Sequence, residues 1–401
     1  MLVFEYKVKA KQFQYRAIDE AIRTVQFIRN KSIRYWMDAS TEDKIDRYAL
    51  NKYSTKLRGE FQFVKDLNSM AVQAAAERGW LSISRFYDNC KKKTPGKKGY
   101  PKFQRDNRSV EYKTTGWSLH PVKRRITLTD KKGIGELKLL GKWDIHTYPI
   151  TAIKRVRLVR RADGYYCQFC VDVECVDTQP QTGKEIGLDV GLESFYTDSN
   201  GHHEPNPKFL KKSESSIKHA QRQIYKKKKG SNNRRKARAR YSRKHLRVSR
   251  QRNEHAKRLA RNVCKSNDLV AYEDLKVSNM LKNHCLAKSI ADASWYLFRM
   301  WIDYFAAKFG KLAVAVPPHY TSQMCSQCKR VVRKSLSTRT HSCTCGCTMH
   351  RDTNAAINIL KRAKSRGGQP QSNANGVGTS TLLGENLVEQ VLTLKLESPH
   401  F

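Results

Sequence analysis

The sequence has no apolar run of the length that a membrane span requires, which is about 20 residues. Its N-terminal segment, Met1 to Lys7, lacks the apolar core of a signal peptide and predicts a first β-strand instead. No internal repeat is visible. We therefore expect a protein without membrane spans and without an export signal.

Acidic residues are scarce, since 36 Asp and Glu stand against 78 Lys and Arg and give a formal net charge of +42. A compact protein tolerates such a charge poorly unless a polyanion neutralises it. An anionic membrane surface would serve, but the basic residues lie in polar helical stretches without a lipid-facing stripe, which favours nucleic acid. With 39% hydrophobic residues, the 401-residue chain can form two or three domains.

The eleven cysteines are odd in number and unevenly placed. Together with the missing export signal, this distribution predicts reduced thiols in an intracellular protein. We expect a cytoplasmic protein that associates with the nucleoid when it acts.

The N-terminal half changes from a helical to a strand pattern. Residues 12–90 read as helices, interrupted at Gly79-Trp80, and a basic Pro/Gly connector follows at 91–99. Strands are then predicted at 125–129 and 135–139, with a hairpin over 156–173 that turns at Asp163-Gly164. With a first strand near 2–8, these strands predict a β-barrel-like module into which the helical block is inserted.

The C-terminal half reads as a mixed α/β unit. Predicted strands lie at 185–192, 195–198, 269–273 and 312–316, and an apolar-striped helix runs from Trp295 to Phe309. Another helix begins near Asp352. The tail from 365 is predicted to be disordered, apart from a short element at 387–396.

Three acidic residues stand at the ends of hydrophobic segments: Asp189, Glu273 and Asp352. Singly, each is explained by a turn or by a helix N-cap. If the strand ends and the helix start converge, the three charges repel one another unless cations are present. This predicts a site for two Mg²⁺ (or Mn²⁺) ions, which would activate a water for in-line attack on a phosphodiester and stabilise the leaving 3′ oxygen. Auxiliary candidates, which the sequence does not rank, are Asp198, Asp274, Asn354 and Asn358.

A second metal site is predicted by cysteine spacing. Cys325-x-x-Cys328 and Cys343-x-Cys345 have zinc-ribbon spacing, and four thiolates around one structural Zn²⁺ would staple a segment with little core. The second pair is one residue tighter than usual, so Cys347 is a competing fourth ligand. A redox or disulfide role is the alternative. The similar pair Cys167-x-x-Cys170 lies on a predicted strand, where an odd offset places the side chains on opposite faces.

Residues 211–265 contain 22 Lys and Arg and only two acids, and predict two basic helices broken at Gly230 to Asn233. The phosphates of a nucleic-acid backbone would neutralise this basic segment. We expect its two helices to pack on the nuclease core. The segment from Lys91 to Phe103 carries Tyr100 and Phe103 among lysines, a composition that suits backbone binding with base stacking.

At these motifs the chain resembles the TnpB family of transposon-encoded RNA-guided endonucleases, relatives of type V CRISPR effectors. The likeness covers about 185–362 and extends weakly to Gly99-Tyr-Pro-Lys-Phe103. The matching segments are Ile-Gly-Leu-Asp189-Val-Gly-Leu, Tyr272-Glu273-Asp-Leu, Leu286-Ala-Lys-Ser-Ile-Ala-Asp-Ala-Ser-Trp295, Thr321-Ser-Gln-Met-Cys-Ser-Gln-Cys328 and Arg351-Asp352-x-Asn354-Ala-Ala. Two departures are His350, where Asp is common, and the tightened cysteine pair.

The resemblance implies an α/β multidomain fold: an RNase H-like (RuvC) mixed-sheet nuclease with a zinc-ribbon insert, and an N-terminal wedge β-barrel with an inserted helical recognition lobe. It implies that Asp189, Glu273 and Asp352 bind the catalytic metals, and that guide RNA directs cleavage of target DNA beside a short transposon-adjacent motif. The implied boundaries are 1–10 and 96–180 (wedge), 11–95 (recognition lobe), 183–319 and 350–364 (nuclease, with basic insert 208–266), 320–349 (zinc ribbon that binds target nucleic acid) and 365–401 (tail).

Two other functions use the same features. A transposase-type enzyme would join strands at a three-acid site, and a zinc-containing regulator would bind nucleic acid without cutting. The long basic insert and the large N-terminal half favour a bound guide RNA over strand transfer, and the intact acidic triad disfavours the regulator.

Overall fold

The computed structural model describes residues 2–40, 43–92, 96–173, 177–335 and 337–365. The chain forms two compact units, Met1–Glu174 and Cys175–Phe401. The predicted tail with its element at 387–396, and residues 93–95 of the connector, lie outside the described residues. No helix in the described ranges is long and apolar enough to cross a membrane.

The first unit is built on an antiparallel sheet of seven strands in the order β2-β6-β7-β1-β5-β4-β3. The strands are β1 (Leu2–Lys9), β2 (Ser109–Lys113), β3 (Trp117–Leu119), β4 (Arg125–Leu128), β5 (Gly135–Leu140), β6 (Ile153–Arg161) and β7 (Gly164–Val171). The predicted first strand is confirmed and lies centrally, paired with β7 and β5. Over the described residues no ladder joins the edge strands β2 and β3, and barrel closure stays a prediction.

Four helices lie between β1 and β2 in the chain, as the inserted-block prediction required. They are α1 (Gln12–Asp38), α2 (Arg47–Glu60), α3 (Gln62–Lys65) and α4 (Ser69–Lys91). The predicted interruption at Gly79-Trp80 is wrong, because both residues lie inside α4. A Cβ on Gly79 would stand 3.2 Å from the Ser32 Cβ of α1, so the glycine permits close helix packing rather than ending the helix.

The hairpin of β6 and β7 turns at the predicted position, with Arg161 opposite Gly164. Cys167 and Cys170 are both fully buried, and Cys167 packs into the main core of the unit. They are strand residues of different faces, as the odd offset predicts.

The second unit has a five-stranded mixed sheet in the order β10-β9-β8-β11-β12. Its strands are β8 (Glu185–Val190), β9 (Ser194–Asp198), β10 (His203–Pro205), β11 (Leu269–Glu273) and β12 (Leu312–Val316). Strands β8, β9 and β10 are antiparallel neighbours, whereas β8, β11 and β12 run parallel. The predicted strands are confirmed, and β10 is an addition.

Helices cover both faces of this sheet. They are α5 (Phe209–Tyr225), α6 (Asn232–Ser266), α7 (Val277–Met280), α8 (Ala287–Ala293), α9 (Trp295–Phe309) and α10 (Arg351–Ser365). The inner residues of α6 and α9 pack with Ile186, Leu188 and Val270 on one face, whereas Ile359 and Ala363 of α10 pack on the other. A small hairpin of β13 (Thr340–Ser342) and β14 (Thr348–His350) precedes α10.

Candidate functional site

Strand register brings Asp189 and Glu273 to the same edge of the second-unit sheet. Tyr272 of β11 pairs with Leu188 of parallel β8, so Glu273 stands one position beyond, beside Asp189. Because side chains alternate along a strand, both acids share the face on which Gly187 and Ala271 lie. That face is the one covered by α10.

Gly187 determines how closely α10 approaches the sheet. A Cβ there would lie 2.1 Å from the carbonyl oxygen of Ala356 and 2.9 Å from the backbone nitrogen of Leu360. Only glycine allows helix backbone to rest on strand backbone at this distance. Asp352 lies one turn before Ala356, and this contact holds the first turn of α10 near the acidic strand ends.

The three acids interact electrostatically. Desolvation of the partly buried Asp189 raises its pKa well above the ordinary value, and the negative charges of Glu273 and Asp352 raise it further, while Arg351 opposes them. Burial also raises the pKa of Glu273, against a hydrogen bond from Thr321 and the charge of Arg362. The structure therefore groups the three predicted acids as repelling charges.

Asp352 is not the N-cap of α10, because the helix already begins at Arg351. Instead, the backbone N–H of Asp352 donates to Nδ1 of His350 at 3.3 Å. The imidazole thus accepts one N–H of the first turn, as a capping side chain does.

Thr321 is a site residue that sequence reasoning missed. Its buried hydroxyl donates to Oε1 of Glu273 at 2.5 Å, which orients that carboxylate. Arg362 holds the same loop by donating to the carbonyl oxygens of Pro317 and His319. No spacing rule connects residues 48 positions apart, so only the fold reveals this contact.

Two of the auxiliary candidates, Asp198 and Asp274, form local hydrogen bonds or ion pairs. Asp198 accepts hydrogen bonds from the backbone N–H groups of Asn200 and His202, both at 2.9 Å, and so shapes the turn after β9. Asp274 forms an ion pair with Arg299.

The two asparagine candidates anchor the cysteine segment to α10. Asn354 is fully buried, accepts from the backbone N–H of Ser326 at 2.9 Å and donates to the carbonyl oxygen of Met324 at 2.8 Å. Asn358 donates to the carbonyl oxygens of Thr321 and Met324. Their sequence signal is an Asn-x-x-x-Asn pair on an alanine-rich helix face, where a buried amide requires partners.

The cysteine segment brings the four predicted thiols together. The sulfur atoms of Cys325, Cys328, Cys343 and Cys345 all lie within 4.8 Å, with Sγ–Sγ distances of 3.6 Å for Cys325–Cys345 and Cys328–Cys343. Burial opposes ionisation of Cys325, but backbone hydrogen bonds from Cys328 and Gln327 and the His341 side chain lower its pKa to about 5. A thiolate is the form that binds metal.

The donor atoms are grouped more tightly in the cysteine segment than in the acidic triad. Over the described ranges, two sets of three or more His, Cys, Asp and Glu residues have ligand atoms all within 4.8 Å. The second set is Cys325, His341 and Cys347, so Cys347 lies with a histidine that the sequence reasoning overlooked rather than in the four-thiol set.

The two basic helices are confirmed as α5 and α6, with α6 capped by Ser231, which lies within the predicted break. Asp292 of α8, another missed residue, accepts from the backbone N–H of Leu210 at the start of α5 and from Nε and an Nη of Arg252 in α6. This single carboxylate ties both helices to the segment that precedes α9.

Known proteins resemble both the sequence and the fold. Residues 168–284 match the OrfB_IS605 family, described as "Probable transposase", and residues 295–359 match "Cas12f1-like, TNB domain". A "Putative RNA-guided DNA endonuclease" of Streptomyces pristinaespiralis is 27% identical over 399 residues, or 95% of each chain. The "Putative RNA-guided DNA endonuclease InsQ" of Escherichia coli (strain K12) is 27% identical over 320 residues, covering 75% of this chain and 76% of the relative.

A solved structure of a Cas12f1-sgRNA-target DNA complex aligns with a TM-score of 0.50 at 12% identity, covering 87% of this chain and 81% of that chain. At this identity the likeness concerns the fold alone, a mixed α/β arrangement of sheets and helices.

Proposed function

We propose that the chain is a TnpB-family RNA-guided DNA endonuclease that hydrolyses phosphodiesters at Asp189, Glu273 and Asp352. The observation that carries the proposal is the electrostatic grouping of these acids at one sheet edge. The relatives named as RNA-guided DNA endonucleases support the reaction class.

The sheet order supports a RuvC-like nuclease domain. The supporting features are three antiparallel strands followed by two parallel ones, an acid on β8, an acid on β11 and a third acid on the final described helix. In the first unit, the seven-stranded sheet and α1 to α4 are assigned as the wedge and the recognition lobe.

The donor set of the acidic group fits hard divalent cations. Oxygen ligands suit Mg²⁺ or Mn²⁺, and the mutual repulsion that raises the pKa of Asp189 is relieved by positive charge. When bound, two such ions would supply water activation and charge neutralisation at the phosphate.

The surrounding residues position this chemistry. Thr321 holds the Glu273 carboxylate, and Gly187 lets α10 bring Asp352 close. The basic helices α5 and α6 would hold the phosphates of the guide RNA, anchored through Asp292.

We assign the four-thiol group as a structural Zn²⁺ site. Cys325, Cys328, Cys343 and Cys345 would fill a tetrahedral shell and leave no open position for catalysis. Asn354 and Asn358 attach this segment to the helix that carries Asp352.

The test is to purify the full chain with its copurifying RNA, sequence that RNA, and add a plasmid library that carries the matching target beside randomised flanks. We expect Mg²⁺-dependent breaks in one flank class only, with free ends and no joined strands. Joined products would support strand transfer, the alternative reaction that the match to "Probable transposase" suggests. Binding without breaks would favour a regulator, and either result would overturn the proposal.

A further inference from the structure

The hairpin of β13 and β14 presents four side chains on one face. His341 pairs with Met349 and Ser342 with Thr348, and the backbone N–H of Cys343 donates to the carbonyl oxygen of Cys347 at 2.9 Å. Because side chains alternate along paired strands, His341, Cys343, Cys347 and Met349 share a face. Met349 contacts Ser326 at 3.8 Å, so this face meets the chain beside Cys325.

His341 is fully buried, and within the described ranges its Nε2 atom has no hydrogen-bond partner other than the sulfur of Cys325. A buried imidazole nitrogen that faces only a thiol sulfur is weakly satisfied, and a bound metal ion would satisfy both atoms. The ligand atoms of His341, Cys325 and Cys347 all lie within 4.8 Å. All three residues are buried, whereas Cys328 and Cys345 of the four-thiol group are exposed.

We propose that the segment holds a second metal position, in which Cys325, His341 and Cys347 bind Zn²⁺ and the Cys325 thiolate bridges to the ion of the four-thiol group. Imidazole nitrogen and thiolate sulfur are ligands that Zn²⁺ prefers. The shared residue is the most buried cysteine of the four, at 0% exposure. The proposal extends the zinc site proposed above and does not depend on DNA cleavage.

Lys334 controls occupancy of this position. Its ammonium group contacts Nδ1 of His341 and reaches the carbonyl oxygen of Ser322 at 3.3 Å. When Nε2 binds a metal, a neutral imidazole carries its proton on Nδ1. Lys334 must then turn away from the ring, and its positive charge opposes the incoming cation. The second ion therefore binds more weakly than the first.

The first experiment counts metal. The full chain is saturated with Zn²⁺ under reducing conditions, desalted, and measured by elemental analysis and native mass spectrometry. With Mg²⁺ in excess throughout, so that the acidic group does not retain Zn²⁺, we expect two zinc ions per chain for the wild type and one for His341→Ala and for Cys347→Ser. His146→Ala is the matched control, since its Nε2 is buried without a partner but lies in the first unit, and it keeps two ions. One ion in the wild type, or two in His341→Ala, overturns the proposal.

The second experiment uses Co²⁺, whose thiolate charge-transfer and d–d absorption report ligation without any activity assay. Titration of the wild type is expected to end at two equivalents, with a weaker second phase. Lys334→Met should strengthen that second phase about tenfold, because it removes the competing charge, and His341→Cys should retain it. A single phase ending at one equivalent in all three proteins would contradict the bridged site. Asp189→Ala should behave as the wild type, which separates this result from the nuclease proposal.

Discussion

Glu111 in the first unit and Asp189 in the second are both desolvated carboxylates on sheet strands, yet their neighbours carry opposite charges. Arg78, Arg155 and Arg157 surround Glu111, and although burial opposes ionisation, they lower its pKa to about 2. Around Asp189, burial and two further acids raise the pKa. The charge of Glu111 is balanced by arginines of its own unit, whereas the repulsion around Asp189 would be relieved by a proton or by an added cation.

We expect the largest effect from the removal of Asp189. Asp189→Ala should lower DNA cleavage at least about a thousandfold, equivalent to ~4 kcal/mol of transition-state stabilisation, because a proposed metal ligand is lost. Binding of the copurifying RNA should persist, since no phosphate contact is removed. Cleavage rates and RNA affinity are measured beside Asp274→Asn, whose exposed ion pair should matter little. Undiminished cutting by Asp189→Ala would exclude the site.

Removing Glu111 tests the self-neutralised group. Glu111→Gln should destabilise the first unit by about 3 kcal/mol, because the guanidinium groups lose their shared buried charge. Denaturant unfolding, followed by hydrogen exchange of β2, measures this loss of stability. Added Mg²⁺ should not change the result. Glu136→Gln breaks an exposed pair with Arg125 and should change the free energy of unfolding by less than ~1 kcal/mol. Equal effects would mean that burial does not distinguish the two pairs.

Gly187→Ala changes the acidic group without changing its charge. The new methyl group would collide with the Ala356 carbonyl, so α10 must shift, at a cost of about 2 kcal/mol in unfolding free energy and a marked loss of cleavage. Gly59→Ala in α2, which meets nothing within 4 Å, is the control and should leave both quantities unchanged or slightly improve stability. Full cleavage by Gly187→Ala would show that the acids tolerate a displaced helix.

The contributions of Glu111 and Asp189 to stability should change with pH in opposite directions. Glu111 stabilises the fold above the ordinary carboxyl pKa of about 4.3, and this contribution is lost as pH falls toward 2. The raised pKa of Asp189 means that the folded protein favours its protonated form. Without metal, the contribution of Asp189 to the free energy of unfolding therefore falls as pH rises through the folded pKa. Mg²⁺ must displace that proton, and its affinity should therefore rise with pH. Calorimetry in buffers of different ionisation enthalpy measures the released protons, and fewer should be released on addition of Mg²⁺ to Asp189→Asn than to the wild type.

Zinc removal should have the smallest effect. Chelation is expected to loosen residues 320–350 before the nuclease sheet, because that segment has little core of its own. Limited proteolysis with mass spectrometry locates the first cuts, and β8 serves as the internal reference. Unchanged protease resistance of the segment after verified zinc loss would count against a structural zinc site.

The sequence predicted what local patterns determine. Alternation and helical spacing located most strands and the apolar stripe of α9, and the positions of Asp189, Glu273 and Asp352 at element ends indicated convergence. It failed at Gly79, where a glycine that permits close packing was read as a helix break. Contacts across long sequence separations, such as Thr321 with Glu273 and Asp292 with Arg252, leave no periodic signal. His341 was overlooked because a lone histidine in a strand looks ordinary until the hairpin face is known.

The position of α10 near the end of the described chain has a consequence for biosynthesis. Translation produces both acidic strands and the basic helices before the helix that carries Asp352 and the amides that anchor the cysteine segment. A nascent or truncated chain that stops before residue 351 would have a surface for RNA but an incomplete acidic site. Synthesis order alone would then keep unfinished copies from cutting the genome of the cell that makes them.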